Sequence, residues 1–96
     1  MNEKQLYQQQ RQAQLDQWKA EVDKFRAKAA SASATVQLGL NEQIKVLEKR
    51  IEESKAKLVE IAAAPDDAWE SIKESAESAW TSLKSAFNDT ASKFKG

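Results

Sequence analysis

The stretch AASASATVQLGLN, residues 29–41, decides the fold of this chain. A helix can run straight through it, because the alanines, serines and threonine of residues 29–35 are small and helix-compatible. The chain can also turn in that Ala/Ser run, or in the overlapping LGLNEQ (38–43). There Gly39 offers a left-handed helix end and Asn41 the N-cap of a new helix. A turn normally shows more than one glycine between apolar residues. The continuous helix is therefore the expected course, and the turn is the alternative.

Apolar residues on both sides support a helical stripe. Leu15, Trp18, Val22, Phe25, Ala29, Ala32 and Val36 step by 3, 4, 3, 4, 3 and 4, the heptad spacing of a left-handed coiled coil. Leu40 and Ile44 then make two successive steps of four. Leu47, Ile51, Ser54, Leu58 and Ile61 resume the alternation. A doubled four is a stutter, which a continuous helix absorbs by unwinding its supercoil. On the polar faces, Glu53–Lys57 pairs at i+4, while Lys45–Glu48 and Lys57–Glu60 pair at i+3, each worth a few tenths of a kcal/mol.

The main break lies in IAAAPDDAWE (61–70). Pro65 lacks an amide donor and its ring clashes with the preceding helical turn. It also biases Ala64 toward an extended backbone. Asp66 or Asp67 can cap a new helix, so one helix is expected to end near residue 63 and another to begin near 67.

The tail is written in near-repeats: AWESIKESAES (68–78), then AWTSLKSAFND (79–89). Trp69, Ile72, Ala76, Trp80, Leu83, Phe87, Ala91 and Phe94 step by 3, 4, 4, 3, 4, 4 and 3. That eleven-residue period amounts to about 3.67 residues per turn, close to a straight α-helix. Lys73, Lys84 and Lys95 recur at the same spacing. The expected role of the stripe is core, docked on Trp18, Val22 and Phe25, since each large ring buries roughly 150–250 Å².

The expected architecture is a single all-α domain over residues 1–96. A long coiled-coil helix covers about 3–63, and an amphipathic helix covers about 67–95, folded back at Pro65. The alternative is a three-helix antiparallel bundle with its turn within 31–41. A straight helix of the first kind is about 90 Å long at 1.5 Å per residue. It cannot bury its seam alone, so it needs the tail or a second copy.

Composition narrows the function. The 96 residues carry 15 basic and 15 acidic side chains, with neither cysteine nor histidine. The balance gives no global field to recruit nucleic acid, and three positive charges in KFRAKAA (24–30) make too small a basic surface. Disulfides, thiolate or imidazole metal sites and the commonest general base are removed at once. Two glycines and one proline rule against strand-rich folds, which need frequent turns. Glu52 and Glu53 point about 100° apart on a helix and do not converge, and the serines of the tail stand beside no base. No enzyme, cofactor or small-molecule substrate is expected. QLYQQQRQAQLDQ (5–17) holds seven glutamines and reads as a neutral extension of the first helix. The N-terminus lacks the apolar core of a signal peptide, so the cytoplasm is the expected location.

The combination QLDQWKAEVDKF, EQIKVLEKRIEESKAKLVEI and the Ala-Trp tail resembles a group of small, functionally uncharacterised bacterial coiled-coil proteins. The resemblance implies a similar helical build and brings no catalytic residues. The tail is also faintly similar to the eleven-residue repeats of exchangeable apolipoproteins and late-embryogenesis-abundant proteins, although its Trp and Phe content departs from the latter. The expected function is structural: self-association or docking of a partner helix through the apolar seams. The alternative places the tail helix at a membrane surface, against which its 4 basic and 6 acidic residues argue.

Overall fold

The chain turns inside the stretch that separates the two readings. The computed structural model describes residues 3–95, the side chains of Phe94 and Lys95 lying outside that description. It is helical throughout: α1 spans Glu3–Ala30, α2 Ala34–Ala63 and α3 Trp69–Lys95. The rod expected over 3–63 is therefore interrupted at residues 31–33, and the three-helix bundle is the architecture found.

The interruption is not where a glycine would put it. Ser31 and Ala32 donate their amides to Lys28 and Ala29 at 3.2 and 3.0 Å, closing a tight last turn. Ser33 is extended, with φ −62° and ψ 157°, and its carbonyl accepts the Gln37 amide at 2.8 Å. Its hydroxyl makes no capping bond. Gly39 and Asn41 lie within α2 and neither ends nor caps a helix. Tertiary burial overrides local preference here: turning back lays the α1 seam on α2 within one chain.

No described residue has a positive φ, so Gly39 makes no use of its conformational freedom. Nothing lies within 4 Å of where its Cβ would stand. Gly39→Ala should stabilise the protein by about 0.5–1 kcal/mol, the cost of glycine in a helix interior. Urea unfolding followed by circular dichroism reads this directly; a loss of stability would contradict it.

At the second corner Ala64 is extended, with φ −77° and ψ 145°, as expected before Pro65. The Ala68 and Trp69 amides bond the Pro65 carbonyl at 3.0 and 3.2 Å. Asp66 and Asp67 occupy the turn, so α3 begins two residues later than expected. Lys4 reaches across from α1 and donates to the Ala64 carbonyl at 2.7 Å, satisfying the end of α2.

The bundle measures 51 × 20 × 18 Å. α2 packs closely on both neighbours, running antiparallel to each. α1 and α3 are parallel to one another and meet chiefly through long side chains. Across α1–α2, Arg26 pairs with Glu48, which takes Glu48 away from its expected partner Lys45; Lys45 instead lies 4.0 Å from Glu42. Glu53 is paired with Arg50 at 3.6 Å rather than with Lys57, and Lys57–Glu60 forms at 3.7 Å.

Two polar residues, Ser54 and Thr90, are fully buried in the bundle. Ser54 is buried, and its hydroxyl finds no hydrogen-bond partner among the described residues. An unsatisfied buried hydroxyl costs about 1–3 kcal/mol. Ser54→Ala should therefore raise stability by about 1 kcal/mol and the thermal midpoint by about 4–8 °C. A lowered midpoint in calorimetry would show that the hydroxyl is satisfied.

Candidate functional site

Most of the seam residues converge on one core that runs the length of the bundle. Leu15, Val22 and Phe25 from α1, Ile44, Leu47, Ile51, Leu58 and Ile61 from α2, and Trp69, Trp80, Leu83 and Phe87 from α3 are buried in it. Trp18, Leu40 and Ile72 are half-buried against it. Val36 departs from the expectation: it is 53% exposed, because α2 begins beyond the last turn of α1 and nothing described covers that step. The Phe94 side chain lies outside the described residues.

Between α1 and α3 the rings form a ladder. Tyr7 and Trp69 have centroids 5.9 Å apart, Trp18 and Trp80 4.9 Å, Trp18 and Phe87 5.3 Å, and Phe25 and Phe87 6.1 Å. Trp18 stacks on Phe87 at an interplanar angle of 21°. The residue numbers rise together along both helices, which is how the parallel register shows itself. Such pairs add about 0.5–1.5 kcal/mol each beyond area burial.

The gap between Tyr7 and Trp80 is filled by a charge. The Arg11 guanidinium lies 5.2 Å from the Tyr7 ring and 4.8 Å from the Trp80 ring. It donates to both Glu77 carboxylate oxygens, at 2.7 and 3.0 Å, and to the Gln14 side-chain oxygen at 3.0 Å. The Tyr7 hydroxyl donates to Glu77 at 2.9 Å, and the Trp80 indole N–H donates to Gln14 at 2.9 Å. Lys73 stands 5.4 Å from both the Tyr7 and Trp69 rings. Five side chains from two helices thus satisfy one another, and Arg11 occupies a seam position.

Tyr7, Arg11, Gln14 and Glu77 were not among the expected site residues. Tyr7, Arg11 and Leu15 are spaced by four and continue the α1 stripe toward its N-terminus. A charged residue at the middle step conceals that continuation.

The clasp shifts its own acidities. Burial alone would raise the Glu77 carboxyl, but the bonds from Arg11 and Tyr7 and the charges of Arg11 and Lys73 outweigh it and hold the group below its ordinary value of 4.5. Burial raises the Tyr7 phenol above 10.0, reinforced by its bond to Glu77. The Glu77 contribution to stability is therefore present above pH 4.5 and lost as pH falls through the lower folded value. The Tyr7 contribution is present below pH 10.0 and lost above it. Glu77→Gln should flatten the acid limb of a stability-versus-pH curve; an unchanged limb would place the acid sensitivity elsewhere.

Among the described residues no group of three or more His, Cys, Asp or Glu is placed to hold a metal ion, and no helix is long and apolar enough to cross a membrane. Large apolar side chains are exposed at Leu6 on α1 and at Val36, Leu38, Val46 and Val59 along α2. Val36 and half-buried Leu40 continue the core stripe outward, lining an open groove with Ala32 and Lys93, while Leu38, 71% exposed, points elsewhere. Compared with known proteins, the chain matches no family model, no curated protein and no solved structure.

Proposed function

We propose that this chain is a non-catalytic interaction module that works by helix association. The observation that carries the reading is the α2 stripe. It forms the core from Ile44 to Ile61 and then continues through half-buried Leu40 to exposed Val36. A strip already shaped to pack against helices is left open for another helix at one end of the bundle. The polar groups that converge in the chain point the same way, since the Arg11 clasp is spent on its own partners Glu77, Tyr7 and Gln14.

A photo-crosslinking residue at position 36, in the native cell, tests this. A discrete adduct at position 36 and none at the outward-facing position 49 is expected. No adduct at 36, or equal labelling at both, overturns the reading. The competing expectation, α3 lying on a membrane surface, requires α3 to leave the bundle, because Trp69, Trp80 and Phe87 are buried. Co-flotation with lipid vesicles, accompanied by a shift in tryptophan emission, would favour that role instead.

A further inference from the structure

We propose that the partner helix is α1 of a second copy of this chain, exchanged by straightening residues 31–33. The inference rests on the helix-docking reading and draws on three features of α1 and α2. The first is the hinge. Residues 31–33 contain no glycine or proline, no described residue there has a positive φ, and Ser33 makes no capping bond. The extended ψ of Ser33 interrupts the helix there, and alanine and serine accept helical backbone readily.

The second feature is the continuity of the stripe. Leu15 to Phe25, Ala29, Ala32, Val36 and Leu40 keep their 3/4 steps straight through the hinge. In the closed bundle the stripe is half-buried at Ala32 and Leu40, and its Val36 step is left facing water. A straightened α1–α2 helix would bring every step into use.

The third is register. Arg26 pairs with Glu48 across the antiparallel α1–α2 interface. Midway between them along the chain lies Gln37, next to Val36. If two straightened helices exchange their α1 segments and keep the same pairing, their two-fold axis falls at this point. Val36 then lies one residue from the axis, so the Val36 side chains of the two copies come close together. The exposed step of the closed bundle becomes the centre of the exchanged pair. All α1 contacts with α2 and α3, the ring ladder and the Arg11–Glu77 clasp included, are remade between copies, so the exchange sacrifices only the turn.

The full chain is unfolded in guanidinium, refolded at micromolar to millimolar concentration, and weighed by size exclusion with light scattering. A dimer of twice the 10.8 kDa chain mass, increasing with refolding concentration, is expected. When isotope-labelled and unlabelled chains are refolded together, filtered NMR should show contacts between copies for Trp18 and Phe87, whose rings pack at 5.3 Å. Val36→Glu leaves the closed bundle intact, since the site is exposed there. It sets two carboxylates close together beside the axis, and should cut the dimer fraction by about tenfold or more. Ser33→Pro suits the existing φ of −62° and forbids the straight helix, so it should abolish the dimer. Monomer at every concentration overturns the exchange. So does a dimer without Trp18–Phe87 contacts between copies, or one indifferent to Val36→Glu. A chain that stays monomeric yet still gives a photo-adduct at position 36 loses the exchange and keeps the docking reading.

Discussion

Trp80→Ala should remove about 3–5 kcal/mol of stability, the usual cost of truncating a large buried ring. A domain of this size has roughly 5–14 kcal/mol in total, so much of the folded margin would go. The position explains the magnitude. Trp80 is buried against Trp18 at 4.9 Å, carries the Arg11 guanidinium at 4.8 Å on its face, and donates its indole N–H to Gln14. Alanine leaves a cavity between α1 and α3, removes one of the two hydrogen bonds to the Gln14 oxygen and strips Arg11 of one of its two flanking rings. Urea unfolding monitored by circular dichroism measures the loss. A change below about 1 kcal/mol, the range of surface substitutions and little more, would mean that the ring ladder does not hold α1 to α3.

Leu47→Ala should cost about 2–5 kcal/mol, for a different reason. Leu47 is fully buried on α2, the helix that packs against both others, so its side chain has neighbours on either flank and no route to collapse into the space it leaves. Leu38, on the same helix but 71% exposed, supplies the control. Leu38→Ala should stay within about 0.5 kcal/mol of the parent. Equal thermal midpoints for the two variants would rule out the core as drawn.

How much of this is legible in the sequence depends on what each residue pattern encodes. The 3/4 steps from Leu15 to Ile61 specify a face that must meet another helix, and all but the Val36 step are at least half-buried. They carry no information on whether that helix belongs to the same rod, the same chain or another copy. This is why AASASAT reads more readily as straight helix than as a bend: its residues have no turn chemistry, and the bend is decided by burial tens of residues away. The tail was easier. An eleven-residue period lies so close to the natural pitch of a helix that Trp69, Ile72, Trp80, Leu83 and Phe87 face the bundle from one cylinder without any supercoil.

Arg11 was the least legible feature. It stands in a run of glutamines that looks fully solvated, and only Glu77, 66 positions away, explains its presence in the seam. Helical periodicity detects apolar faces, whereas a charge satisfied by a distant carboxylate and two rings leaves no local trace. Tyr7 is hidden with it.

An odd number of helices also has a mechanical consequence. Because α1 and α3 run the same way, residues 3 and 95 emerge at opposite ends of a body 51 Å long. Tension applied between them would load α1 against α3 in shear. The stacked rings and the guanidinium–carboxylate clasp would all have to slide together, whereas a two-helix hairpin, with both ends on one side, peels apart one contact at a time. Pulled from its ends, this small bundle should behave as a stiff strut.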